Sequence, residues 1–160
     1  MVIVLMGVSG SGKTTIGRGL AGELGWRFYD ADDFHPRSNV EKMARGVPLD
    51  DEDRAPWLES LRDLIRLCLG RGESAVLACS ALKRSYRAYL LIDENVKLVY
   101  LKGDYELIDE RLKNRRGHFM KSKLLDSQFA ALEEPERGLT VDISLPPEKI
   151  IETIRSRFEV

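Results

Sequence analysis

The sequence predicts an α/β fold in which a five-stranded parallel sheet carries helices on both faces, and three observations lead there. Five short apolar runs rich in Val, Leu and Tyr recur along the 160 residues. Segments of helical periodicity separate them, the alternation that a parallel sheet with crossover helices requires. The octet Gly7-Val8-Ser9-Gly10-Ser11-Gly12-Lys13-Thr14 follows the first run directly, as a phosphate-binding turn between a strand and a helix would.

The strands are expected at Val2 to Met6, Arg27 to Tyr29, Ala75 to Cys79, Val96 to Leu101 and Thr140 to Ile143. Runs that are apolar on both faces suit strands covered from two sides. After Thr14 the apolar positions Ile16, Leu20 and Leu24 mark the first helix. Further helices are expected over Arg37–Arg45, Asp51–Leu69, Lys83–Leu91, Tyr105–Lys113, Lys121–Leu132 and Pro147–Phe158. Asp50 or Asp53 can cap the helix over Asp51–Leu69, with Pro56 falling in its first turn, where no N–H is needed. Pro146-Pro147 opens the last helix in the same manner. The length suits a single domain, with no repeat, linker or low-complexity tract.

The octet fills every fixed position of G-x-x-x-x-G-K-[ST], the P-loop. Its glycines let consecutive N–H groups turn inward around a phosphate chain, and the helix that starts near Lys13 adds the positive end of its dipole. The nucleotide-binding set is therefore Gly7, Val8, Ser9, Gly10, Ser11, Gly12, Lys13, Thr14 and Thr15. Lys13 is expected to reach the β- and γ-phosphates, and the Thr14 hydroxyl to ligate Mg²⁺ beside ATP. A small phosphotransferase remains, since the chain lacks the N-K-x-D guanine signature and is short for a motor or transporter ATPase. A net charge of −1 argues against a nucleic-acid or membrane-surface partner. Cys68 and Cys79 have no zinc-type spacing and read as buried, reduced thiols. No leader-like or membrane-spanning run opens the chain, so the expected address is the cytoplasm.

Phe28-Tyr29-Asp30-Ala31-Asp32-Asp33-Phe34-His35-Pro36 sets three carboxylates at the expected end of the second strand. If the segment is extended, Asp30 and Asp32 point the same way. Phosphoryl transfer to an alcohol needs one carboxylate to orient the hydroxyl and take its proton, assigned to Asp32, and another to hold a water of the Mg²⁺ shell, assigned to Asp30. Asp33 suits a cap of the helix near Pro36. His35 could be a substrate hydrogen-bond donor, a metal ligand or a loop residue, and substrate contact is the role assigned.

The P-loop, Asp30-Ala31-Asp32 with His35-Pro36, and Asn39-x-Glu41-Lys42-Met43 together resemble the gluconokinases of the P-loop kinase superfamily, specifically the thermoresistant type. Gly46-Val47-Pro48-Leu49-Asp50-Asp51-x-Asp53-Arg54-x-Pro56-Trp57-Leu58, Cys79-Ser80-Ala81-Leu82-Lys83-x-x-Tyr86-Arg87, Val99-Tyr100-Leu101-Lys102-Gly103-Asp104, Arg116-Gly117-His118-Phe119 and Ser127-Gln128-Phe129-x-x-Leu132-Glu133-x-Pro135 continue the match in order. The resemblance implies ATP-dependent phosphorylation of D-gluconate to 6-phospho-D-gluconate, which feeds sugar-acid catabolism into the pentose phosphate pathway. It also implies a fold similar to shikimate and nucleoside monophosphate kinases, a homodimer, and a lid over residues 115–135. A sugar acid carries a carboxylate, so Arg54, Lys83 and Arg87 are assigned to the acceptor. Arg115 and Arg116 of the lid are assigned to the nucleotide, one near adenine and one on phosphate, and Gln128 of the lid helix to the substrate. Trp57 reads as a core anchor. After Pro135 the chain passes through Glu136-Arg137-Gly138 to the last strand, where the family carries a longer acidic insertion, which would trim a loop beside the adenine. Two rivals remain: a kinase of this fold acting on another small acid, and a nucleotide-binding protein without turnover.

Overall fold

The computed structural model describes residues 1–115 and 121–160. Five strands, β1 (Val2–Met6), β2 (Arg27–Asp30), β3 (Ala75–Ala78), β4 (Val96–Lys102) and β5 (Leu139–Asp142), form one sheet in the order β2-β3-β1-β4-β5. Every pairing is parallel. The helices are α1 (Lys13–Leu24), α2 (Arg37–Ala44), α3 (Asp51–Gly70), α4 (Arg84–Leu90), α5 (Tyr105–Lys113), α6 (Lys121–Ala131) and α7 (Pro147–Phe158). β1 is central and buried along its whole length. The chain goes out to β2 at one edge, returns to β3, then crosses β1 to β4 and β5. The loops after β1, β2 and β3 thus open together at the carboxyl edge, where α/β sheets place their ligands.

Side chains alternate across β1 into two cores. Val2, Val4 and Met6 pack with Trp57, Leu58, Leu61 and Ile65 of α3 and Tyr86 and Leu90 of α4. Ile3 and Leu5 pack with Ile16 and Leu20 of α1, Ile108 and Leu112 of α5, and Ile150, Ile151 and Ile154 of α7. The sheet is therefore covered on both faces, which is why β1 and β3 read as unbroken apolar runs.

Three local expectations are corrected. The segment after β2 is a short 3-10 turn over Ala31–Phe34 rather than extended chain, and the Asp30 side chain caps it by accepting from the Asp32 N–H at 3.0 Å. An Asp two residues before an N–H readily closes such a turn. Asp33 does not cap α2, whose N-cap residue is Pro36 without a side-chain cap. In α3 a capping box joins Asp50 and Asp53, each side chain accepting from the other's backbone N–H at 2.7 and 3.1 Å. That box starts the helix at Asp51, so Pro56 lies inside it and not in its first turn.

Candidate active site

The P-loop folds as it does because its glycines meet steric demands. A Cβ on Gly7 would sit 2.5 Å from Ser11 Oγ and 3.0 Å from the Leu101 carbonyl oxygen. Gly12, at φ +95°, is the left-handed residue that turns the loop into α1. Above this loop is a cavity of about 250 Å³ lined by Ser9, Gly10, Gly12, Lys13, Thr14, Thr15, Asp30, Asp32, Ala78, Ser80, Arg115 and Gln128. Gly7, Val8 and Ser11 are buried in the floor beneath it.

Lys13 lies across the loop and donates from Nζ to the carbonyls of Gly7 at 2.8 Å and Val8 at 3.0 Å. Withdrawal from water lowers its pKa to about 8, against the opposing pull of Cys79, Asp32 and Asp30. Partial desolvation raises the Asp32 carboxyl above its ordinary value, and the Asp30 charge adds to the rise, while His35 and Lys13 oppose it. A carboxylate shifted in that direction is a better proton acceptor. Gln128 Oε1 accepts from the Ser9 N–H at 2.5 Å, so α6 touches the P-loop itself. α6 is also tied to α5, where the Tyr105 hydroxyl donates to Asp126 and its ring packs on Phe129.

A second cluster adjoins this cavity without lining it. His35 stacks on Trp57 with ring centroids 4.3 Å apart and planes 13° from parallel. Arg54 donates to the Leu49 carbonyl at 2.7 Å and the Tyr86 hydroxyl at 3.3 Å. The Tyr86 hydroxyl in turn donates to Asp51 at 2.6 Å, and Lys83 reaches Asp51 at 3.4 Å across the Tyr86 ring. Arg87 is placed elsewhere. It is 94 % removed from solvent and donates to the carbonyls of Ala81 at 2.8 Å and Leu82 at 3.1 Å. Ala81 has φ +45°, so this guanidinium holds a strained turn after β3. Arg116 lies outside the described residues.

The segment after Pro135 does not run beside the P-loop. Glu133 donates its N–H to the Leu82 carbonyl at 2.8 Å, Glu134 pairs with Lys102 at 3.1 Å, and Gly138 packs against Leu98. Arg137 and Gly138 line a separate cavity with Met1, Glu94 and Val96, at the amino edge of the sheet. The short connection therefore enters β5 beside Leu98, from the amino edge of the sheet.

The family model described as an AAA domain matches residues 2–135. A probable gluconokinase of Xenopus tropicalis is 46 % identical over 99 % of this chain and 92 % of its own length. The thermoresistant gluconokinase of Escherichia coli K12 is 44 % identical over 94 % of this chain and 89 % of its own. The chain belongs to the gluconokinase family. A crystal structure of a gluconokinase from Sinorhizobium meliloti superposes with a TM-score of 0.84 at 41 % identity, covering 94 % of this chain and 87 % of that one. The P-loop kinase fold expected from the sequence is the one observed.

The structure gathers Lys13, Thr14, Thr15, Asp30, Asp32, Arg115 and Gln128 around one cavity, and sets His35, Arg54 and Lys83 outside its lining. Sequence reasoning missed Ser80, which lines the cavity and whose carbonyl accepts from the Gly7 N–H at 3.2 Å. A polar residue just past the apolar run of β3 was the available signal. It also missed Asn39, which is polar, on a helix of exposed character, and yet buried. Nothing in the local pattern marks that burial.

Proposed function

We propose that the protein transfers the γ-phosphoryl group of ATP to D-gluconate, releasing ADP and 6-phospho-D-gluconate. The observation that carries this reading is the convergence of the P-loop, Lys13 and the Asp30–Asp32 pair on one cavity, in a chain of the gluconokinase family. In the reaction the terminal hydroxyl oxygen of gluconate bonds to the γ-phosphorus, the bond from that phosphorus to the β–γ bridging oxygen breaks, and the hydroxyl proton passes to Asp32. The backbone N–H groups of the P-loop and the Lys13 ammonium hold the negative charge that spreads over the phosphoryl oxygens. Catalysis of this kind is positioning and electrostatics, without a covalent intermediate.

The donor set fits Mg²⁺. Among the described residues no group of three or more His, Cys, Asp or Glu could hold a metal, whereas Mg²⁺ in such sites keeps several waters and takes one or two protein oxygens beside the phosphates. The Thr14 hydroxyl would ligate it and Asp30 would hold one of its waters, both from the lining of the same cavity. Bound there, the ion neutralises charge on the β- and γ-phosphates.

Residues 115–135 serve as the lid. Arg115 and Gln128 reach the cavity from this segment, and the tie between Tyr105 and Asp126 gives it a fixed anchor. Arg54 and Lys83 belong to the acceptor end, where a sugar-acid carboxylate needs cationic donors. A cytoplasmic setting agrees with the ATP donor. Among the described residues no helix is long and apolar enough to cross a membrane. The homodimer that the resemblance implies is checked by light scattering on the purified chain.

The test is ADP release with Mg-ATP against D-gluconate, other aldonates, shikimate and nucleoside monophosphates. Turnover on gluconate far above the rest supports the proposal. Turnover on another acceptor alone would keep the mechanism and discard the substrate, and none on any would leave a nucleotide binder.

A further inference from the structure

Asn39 is 2 % exposed, a buried amide on the helix that follows the Asp32 turn. Its Nδ2 donates to the Asp53 main-chain carbonyl at 2.8 Å and lies 3.2 Å from Nδ1 of His35. The first contact fixes the orientation of the amide. A carbonyl oxygen only accepts, so the atom facing Asp53 is the NH2 group, and rotating the amide would set two oxygens against each other. The second N–H of that group then points at His35 Nδ1, which must be the bare, accepting nitrogen. The imidazole proton is left on Nε2.

The rest of the ring's surroundings agree. Trp57 covers one face of the imidazole, and is itself pinned by donation from Nε1 to the Ala31 carbonyl at 2.7 Å. Burial lowers the pKa of His35 and the Arg54 charge adds to the fall, with Asp32 opposing it. The Nε2 edge has no protein acceptor among the described residues, and it is not a buried unpartnered atom. It keeps some contact with solvent, on a ring near enough to Asp32 for their charges to interact.

We propose that Asn39 is a positioning residue, holding His35 as the Nε2–H tautomer so that this N–H donates to an oxygen of the polyhydroxy acid acceptor. The inference rests on the acceptor reading above and divides the labour at that end of the site. Asp32 accepts from the hydroxyl that reacts, and His35 donates to a neighbouring oxygen. With Nδ1 satisfied by Asn39, His35 does not compete as the base. An acceptor rich in hydroxyl groups offers the lone pairs that such a donor requires.

The experiment uses the full chain labelled with ¹⁵N-histidine, without acceptor, and long-range ¹H–¹⁵N spectra near neutral pH. The chain has two histidines, so His35→Gln assigns the signals. The expected spectrum shows His35 with a bare Nδ1 and a protonated Nε2. Asn39→Ala should produce mixed tautomers and raise the acceptor KM by about tenfold, the weight of one hydrogen bond, with the KM of ATP within twofold. Asn39→Asp keeps the shape but replaces the donor with an acceptor, and should place a proton on Nδ1. A wild-type ring that is mixed or protonated on Nδ1, or an Asn39→Asp ring that is unchanged, overturns the proposal. So does an Asn39→Ala enzyme with wild-type acceptor KM. Because the spectra are taken without acceptor, they stand even if gluconate proves not to be the substrate, and the kinetic arm then uses the acceptor that turns over.

Discussion

The indole N–H of Trp57 donates to the carbonyl oxygen of Ala31 at 2.7 Å, so a helix of the core directly holds the turn that carries Asp32. Trp57→Phe keeps most of the apolar volume and strands that carbonyl. An unsatisfied buried acceptor costs about 1–3 kcal/mol. The variant should unfold at lower denaturant concentration by that amount, with the slope of the transition unchanged, and should also lose affinity for the acceptor through His35. Chemical denaturation followed by steady-state kinetics reads both effects.

Lys13→Ala removes the ammonium that spans the P-loop. The loss of one preorganised charge partner at the transferring phosphoryl group is expected to lower kcat by about 10²–10³-fold or more. A near-normal rate in the ADP-release assay would show that the phosphate chain binds elsewhere.

Asp32→Asn preserves size and removes the proton acceptor. We expect kcat to fall about 10²–10⁴-fold while ATP affinity, measured by calorimetry, stays within a few-fold. If ATP affinity collapses with kcat, Asp32 serves the metal or the fold instead.

Lys83→Met and Arg87→Met separate two basic residues that the sequence treats alike. Lys83 is half-buried at the Asp51–Tyr86 pair, and its loss should raise the acceptor KM more than that of ATP. Arg87 is buried on the Ala81 and Leu82 carbonyls. Its loss should cost about 1.5–3 kcal/mol of stability and leave the acceptor KM close to wild type. A raised KM at unchanged stability would return Arg87 to the substrate.

Cys79 is fully enclosed, and desolvation pushes its thiol up to about 12, against the Ala81 backbone hydrogen bond and the Lys13 charge; burial likewise raises Cys68. The folded protein therefore holds these protons more tightly than the unfolded chain. Their contribution to stability is complete below the ordinary thiol pKa near 9 and declines as pH rises through the alkaline range. Alkylation at pH 8 should proceed only at the rate of unfolding, and prompt labelling of either thiol in the native enzyme would contradict the buried placement.

The sheet was legible because β1, β3 and β4 are apolar on both sides, so composition alone marks them. The P-loop was legible because backbone geometry restricts three of its positions, Gly7, Gly10 and Gly12, to glycine. What the sequence hid was decided by tertiary contacts. The turn at Ala31–Phe34 depends on Asp30 curling back to the Asp32 N–H and on Trp57 arriving from α3. Arg87 looks like any helix-surface arginine until the turn at Ala81 presents two carbonyls to it. The start of α3 was ambiguous between Asp50 and Asp53 because both take part in one reciprocal cap. Asn39 carries no local mark of burial, since the groups that enclose it come from His35 and from Asp53, fourteen residues on.

The strand order has a further bearing on biosynthesis. β1 leaves the ribosome first, yet its two ladder partners are β3 at Ala75–Ala78 and β4 at Val96–Lys102. Until β3 has emerged, the strand that leads into the P-loop therefore has no neighbour on either side, and its apolar side chains are exposed to whatever the nascent chain meets. The nucleotide cannot act as an early folding template, because its cradle is unsupported until β4 has emerged. Chaperone demand should be concentrated in that interval, and a truncation ending before Val96 should be captured by holdases while one ending after Lys102 escapes more of them.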